Sequence, residues 1–426
     1  MSAAGLLLLL LAAFLVLGMP VGLALMLASL AAIAAGSEVD ALALLGGDLW
    51  RSLTAPELVA LPLFILMGEL VSRGGLADEV FRALAKPLAR LPGGLLQINI
   101  VAATLFAAIT GSSAATTATV GRITVPALLK AGYERRAVVG SLAGAGTLGF
   151  LIPPSLVLIL YGVVARQSII DLFLAGILPG MLFAVLAMVW LGVTTRPPLA
   201  RAQSQDGTSS PFTTAAFSPW PLAKLALVIG AVIGGMAAGI IGPSEAASLG
   251  AALVIGVQGR RFLSEPKLLW QAVLAAARSA AVLTLLLAGA LFFAKAVALF
   301  GIAPKLTEMV SAARLGPFAL FMLLVIAHAI AGMLLDGLSL VLLSVPLTLP
   351  LAVAAGFHPV WYGIVLVITV EMAQITPPVG FNLFIVRDIA GVSIAEAARA
   401  AWPFFSLLFA LALLLYVVPE LALWPL

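Results

Sequence analysis

Two short stretches, Gly149-Phe150-Leu151-Ile152-Pro153-Pro154-Ser155 and Gln374-Ile375-Thr376-Pro377-Pro378-Val379-Gly380, each set a Pro-Pro pair inside a long apolar segment. Proline removes a backbone donor and clashes with the preceding turn, so carbonyls around each break lose their helical partners. In an apolar surrounding those carbonyls must be satisfied by protein, water or a bound cation. The chemistry on offer is therefore oxygen coordination of a hard cation. A lone Pro-Pro can be a plain kink. Two breaks at matching positions of two halves are the pattern of a midplane binding site.

Composition says what must hold these breaks. Of 426 residues, 63% are hydrophobic and 9% charged, and the mean hydropathy is +1.21. Soluble globular domains are nearer one half apolar, so the chain is expected to be an all-α polytopic membrane protein with the lipid bilayer as its solvent. Cysteine is absent, which removes disulfides, thiolate metal sites and a cysteine nucleophile. His328 and His358 are too far apart in sequence to read as a metal cluster. The pI near 9.6 does not point to nucleic acid, because the basic residues are scattered at segment ends. The leucine-rich start lacks a charged leader and a clear cleavage site, so it reads as a segment that stays in the membrane.

An internal repeat gives the organisation. At a spacing of 224, Pro126 falls on Pro350, Gly132 on Gly356, Pro153-Pro154 on Pro377-Pro378 and Pro179 on Pro403. The halves are residues 1–195 and 222–426, joined by a Pro-, Ser- and Thr-rich linker at 196–221. Sixteen of the 22 basic residues fall in the segments 73–93, 130–136, 195–224, 259–278 and 387–400, which the positive-inside rule makes cytoplasmic.

That sidedness makes two segments return to the side they came from. Residues 94–130, with a tip at Thr110-Gly111-Ser112-Ser113, form one expected re-entrant hairpin, and residues 315–355, with a tip near Leu335-Asp336-Gly337, form the other from the opposite side. Each precedes a Pro-Pro-broken helix, about 137–165 and 360–388, so the fold expected is two inverted-topology repeats. Two thin full spans in place of each hairpin would spoil the charge count.

The motifs carry a family resemblance. Thr110-Gly111-Ser112-Ser113-Ala114-Ala115-Thr116, Lys130-Ala131-Gly132-Tyr133, the Gly146 to Ser155 run, Tyr161-Gly162 and Gly176-Ile177-Leu178-Pro179-Gly180 resemble the large membrane subunit of a TRAP transporter, a tripartite ATP-independent periplasmic transporter. Gly242-Pro243-Ser244-Glu245-Ala246-Ala247, Asp336-Gly337, the Ile375 to Asn382 run and Ala390-Gly391-Val392-Ser393 extend the resemblance through the second half. It implies an elevator-type secondary transporter driven by sodium ions. Its implied partners are a small four-helix membrane subunit, expected from a separate gene, and a soluble periplasmic substrate-binding protein. The implied cargo is an organic acid, and the implied place is the bacterial inner membrane.

Sodium prefers oxygen ligands. The first sodium site is expected at Thr110, Ser112 and Ser113 of the tip with carbonyls of Gly149, Ile152 and Pro154, positions that match the family's own first site. Pseudo-symmetry places a second at Ala373, Thr376 and Pro378 with Asp336. An ionisable residue inside a membrane is a functional candidate, although Ser112, Ser113 and Asp336 serve equally well as N-caps. Half-helices starting after Ser113 and Gly337 aim positive dipole ends at the centre, which suits an anionic substrate. Ser112, Thr116 and Thr119 share a face by helical spacing and are expected to contact it, together with Asn382. Arg122 can join them or snorkel to the cytoplasmic interface, and snorkelling is the expectation.

Glu69, Lys295, Glu245 and Glu371 are read as contacts between parts of the molecule or as proton relays. Segments 72–92 and 262–278 look like amphipathic arms on the membrane surface. An enzyme is not expected, since no credible base lies near Gly111-Ser112-Ser113. The rival is a sodium-coupled or exchanging transporter of organic anions that needs no binding protein.

Overall fold

A computed structural model describes residues 2–54, 56–195 and 218–426. These residues are helical, with no strand among them, as the composition requires. The linker at 196–221 lies outside the described residues except for Ser218 to Pro221. Among the described residues six helical runs are long and apolar enough to cross a membrane, or seven if Ala60–Gly74 and Leu76–Leu88, bent by 66°, form one span.

The same succession of helices occurs twice. In the first half Gln97–Thr110 and Ser113–Lys130 form a helical hairpin, followed by Arg135–Gly146, the short Leu148–Leu151, then Leu156–Ala165 beyond the break, and the long Ile169–Thr194. In the second half the counterparts are Pro317–Gly332, Gly337–Ala354, Pro359–Gln374, Phe381–Ala390 and Ile394–Val417. Both Pro-Pro bonds, Pro153-Pro154 and Pro377-Pro378, are cis.

The surface arms differ from expectation in the second half. Leu76–Leu88 is a separate amphipathic helix behind the left-handed Gly75, and its counterpart is Ile302–Ala312 behind the left-handed Gly301. Residues 266–278 are not a separate arm. They open the 34-residue helix Pro266–Leu299, because nothing after Pro266 interrupts its helix-forming run. That helix crosses Val21–Gly36 at Gly22 and Gly289, where a Cβ on Gly289 would stand 2.1 Å from the Gly22 carbonyl. Contacts this close give the van der Waals packing that holds helices together in lipid.

The halves interlock around the breaks. Arg135–Gly146 lies against Ile394–Val417, with Gly140 on the Ala400 carbonyl and Gly144 on the Phe404 ring. The Tyr161 hydroxyl donates to the Pro359 carbonyl at 2.6 Å, and Trp361 Nε1 donates to Leu415 O at 2.9 Å.

Candidate binding site at the hairpin tips and helix breaks

Prolines 153 and 154 remove the N–H groups that Gly149 O and Phe150 O would accept in a continuous helix. The Ser155 hydroxyl takes over for one of them, donating to Phe150 O at 2.5 Å. Gly149 O acquires no such replacement among the described residues. The tip of the first hairpin closes on this break. Leu156 N–H donates to Gly111 O at 3.1 Å, and a Cβ on Gly111, whose φ is +57°, would meet Pro154 O at 2.5 Å. Gly149 presses on the backbone of Ser112 and Ser113, where a Cβ would stand 2.5 Å from Ser113 N. Thr110, Ser112, Ser113, Gly149 and Pro154 are thus brought together, while the Ile152 side chain packs on Gly180.

The hydroxyls at the tip divide their work. Ser112 is the N-cap of Ser113–Lys130, accepting from Ala115 N–H at 3.3 Å. Ser113 is no cap. Its Oγ lies 2.9 Å from Gly146 O and 3.1 Å from Glu371 Oε2, and it accepts from Asn382 Nδ2 at 2.7 Å. Glu371 Oε1 in turn accepts from Phe150 N–H at 3.1 Å. Glu371 and Asn382 are fully buried, and Asn382 Oδ1 has no hydrogen-bond partner among the described residues. This cluster links the first tip, the first break and the second broken helix.

The second break is built differently. Pro377, Pro378 and Val379 are exposed, whereas Pro153, Pro154 and Ser155 are buried. Ala373 O already accepts from Thr376 N–H at 3.1 Å, and the Thr376 hydroxyl donates to Met372 O at 2.6 Å. Asp336 caps Gly337–Ala354, accepting from the N–H groups of Leu338 at 3.1 Å and Ser339 at 3.2 Å and from the Ser339 hydroxyl. The second tip does reach its break, since Gly332 packs on Ala373 and Gly337 on Val370 and Gln374. Gly337 also packs on Phe150 of the first half.

A cavity of about 870 Å³ runs from both tips, at Thr110, Ser112 and Leu338, to a charged end at Arg73, Asp78 and Arg278. Its lining differs at two residues from the set expected to face the substrate. Ser112, Ala115, Thr119 and Arg122 form the stripe that lines it, at three- and four-residue steps. Thr116 is fully buried outside that stripe, its hydroxyl 2.9 Å from that of Thr110. Asn382 turns to Ser113 and does not line the cavity. Arg122 does line it, and its Nε donates to Ala118 O at 3.0 Å, which folds the side chain back toward the tip.

The remaining charges find partners on neighbouring helices or within their own. Glu69 pairs with Arg73 at 2.7 Å and Lys295 with Asp48, while Glu245 accepts from Gly242 N–H at the start of its helix at 2.8 Å. Sequence reading named Glu371 only as a contact between parts or a proton relay, and did not single out Arg278. A single carboxylate five residues before Thr376 in an apolar run was the available signal for the first. Arg278 gave none, since it closed the segment 262–278 read as a surface arm.

The sequence model of the family described as "Tripartite ATP-independent periplasmic transporter, DctM component" matches residues 8–421. The chain belongs to this family. It is 31% identical over 415 residues to the isethionate TRAP transporter permease protein DctMQ of Oleidesulfovibrio alaskensis, covering 96% of this chain and 64% of that longer protein. It is also 31% identical to the C4-dicarboxylate TRAP transporter large permease protein DctM of Pseudomonas aeruginosa, covering 86% of this chain and 85% of the relative. Both are named as permeases, and this chain is a multi-pass transporter subunit rather than an enzyme. Its fold is that of the YdaH transporter of Alcanivorax borkumensis, with a TM-score of 0.65 at 16% identity over 91% of this chain and 90% of that one.

Proposed function

We propose that this chain is the large membrane subunit of a sodium-coupled, binding-protein-dependent secondary transporter that imports small organic acids across the bacterial inner membrane. The observation that carries the cation part is the Gly149 carbonyl. Pro153 frees it, and the side of Gly149 where a Cβ would stand packs against the backbone of the tip residues Ser112 and Ser113. Sodium at this place takes carbonyl oxygens of Gly149, Ile152 and Pro154 with hydroxyls of Thr110, Ser112 and Ser113, a hard-oxygen set. A second ion at Ala373, Thr376, Pro378 and Asp336 follows from the pseudo-symmetry, with the Asp336 carboxylate supplying charge.

Relatives named for isethionate and C4-dicarboxylate support an organic anion as cargo. The cavity stripe Ser112, Thr119 and Arg122, below the N-terminal end of Ser113–Lys130, supports it chemically. Family membership supports a small four-helix membrane subunit and a periplasmic binding protein as partners. An elevator motion would carry the hairpin and break as one body past Ala60–Gly74 and Pro266–Leu299, with Gly68 giving a smooth contact at Thr110.

The test is uptake of labelled organic acid into proteoliposomes holding this chain and its small subunit, under an inward sodium gradient, with and without the binding protein. Uptake that needs both gradient and binding protein is the expected result. Sodium-driven uptake without the binding protein would move the chain to the direct-transporter class, and uptake indifferent to sodium would remove the cation sites.

A further inference from the structure

Two arginines from different helices enter the wall of the large cavity. Arg122 stands on Ser113–Lys130 and Arg278 on Pro266–Leu299, and both are exposed. Among the described residues neither has a carboxylate within ion-pair distance, since the ion pairs there are Glu69–Arg73, Glu79–Lys224, Asp48–Lys295 and Asp388–Arg387. The other charges facing the cavity are Glu69, Arg73 and Asp78. Glu69 and Arg73 neutralise each other, which leaves Asp78 against two arginines and a net positive wall.

A guanidinium offers a planar fork of donors that fits a carboxylate, and such charge-assisted bonds are stronger than neutral ones. Arg122 spends its Nε on Ala118 O, which fixes the side chain while leaving its terminal N–H groups to the cavity. Ser113 and Arg122 are nine residues apart. That is roughly 13 Å of helix, and a guanidinium folded back by about one 5.4 Å turn leaves roughly 8 Å between tip and arginine.

We propose that Arg122 and Arg278 form a second carboxylate station in the cavity, so that the preferred cargo is an acid with two well-separated carboxylates, one at the first hairpin tip and one at this pair. The proposal rests on the organic-acid reading above and narrows it. Succinate is too short to reach both stations at once, whereas pimelate spans them.

The test is equilibrium binding of pimelate and heptanoate, and of succinate and butyrate, to the purified full chain in sodium chloride, read by competition or by thermal stabilisation. The parent chain is expected to prefer pimelate over heptanoate by about tenfold, the worth of one good charge-assisted bond, and to prefer succinate over butyrate by less. Arg122→Gln and Arg278→Gln should each bring the pimelate preference close to one, while Arg82→Gln, outside the cavity, should leave it intact. Arg278→Lys keeps the charge without the fork and should fall between, which keeps the question open to measurement should the glutamine variant not fold. No pimelate preference in the parent, a preference surviving both glutamine variants, or an equal loss in the Arg82 variant would each overturn the proposal. The assay uses no gradient and no binding protein, so a failure of the transport reading leaves this result readable by itself.

Discussion

Glu371 and Ser113 stand 258 positions apart in the chain, yet Glu371 Oε2 lies 3.1 Å from Ser113 Oγ. The same carboxyl group accepts from Phe150 N–H at 3.1 Å, so one side chain on the second broken helix holds both the first hairpin and the first break. The two halves are joined here by polar contacts inside a surrounding of apolar side chains. A low-dielectric surrounding strengthens such bonds and makes their loss costly.

Truncation at this point should therefore differ from isosteric replacement. Glu371→Ala leaves Phe150 N–H without a partner and is expected to destabilise by about 2 kcal/mol, within the range for an unsatisfied buried group. Glu371→Gln retains an acceptor for Phe150 and a donor for Ser113, and should melt close to the parent. Thermal unfolding of the purified chain measures both. Equal melting of the alanine variant and the parent would show that the contact carries no stability.

Gly149 is a packing requirement of the first break. A Cβ there would stand 2.5 Å from the Ser113 backbone, which has no flexible end to move aside. Gly149→Ala should cost about 1–3 kcal/mol by overpacking and push the tip off the break. A Cβ on Gly230 would meet nothing within 4 Å, so Gly230→Ala is the tolerated control. The paired melting temperatures, with sodium-driven uptake as a second readout, decide whether tip and break act as a unit.

The breaks differ in how their carbonyls are answered. Ser155 donates to Phe150 O, while the residue 224 positions on is the exposed Val379. Ser155→Ala should lower stability by about 1–2 kcal/mol, the worth of a buried hydrogen bond and its stranded acceptor. Val379→Ser should be near neutral, as surface substitutions usually are. If both were neutral, the buried carbonyl would have to find another partner.

Local chemistry was legible in the sequence, and direction was not. Proline acts on its own turn, so the breaks could be read from Pro153-Pro154 and Pro377-Pro378, while the hairpins came from the distribution of Lys and Arg. Helical spacing told which of Ser112, Thr116 and Thr119 lie near one another, but a wide face includes both cavity and core. Thr116 fell on the core side, paired with Thr110. Glu371 reaches across the repeat boundary, and no periodicity within one helix encodes that distance. Arg278 fell at the end of an expected surface arm because the signal for helix continuity after Pro266 is the absence of a breaker, which is weak beside a cluster of charge.

Asp336 separates a cap from a ligand. In this structure its carboxylate caps Gly337–Ala354 and bonds the Ser339 hydroxyl, and it is exposed at the tip. Capping needs an acceptor oxygen, which asparagine supplies about as well as aspartate. Coordinating sodium with charge compensation needs the carboxylate itself. Asp336→Asn should therefore melt near the parent but lose about tenfold in sodium-driven uptake, as expected when a charged ligand becomes neutral at a partly dehydrated site. Asp336→Ala removes the cap as well and should cost about 1 kcal/mol of stability on top of the uptake loss. Uptake and its half-saturating sodium concentration, measured for both variants beside their melting temperatures, separate the roles. Normal sodium dependence in the asparagine variant would make Asp336 a helix cap alone and leave the second cation site without its charge.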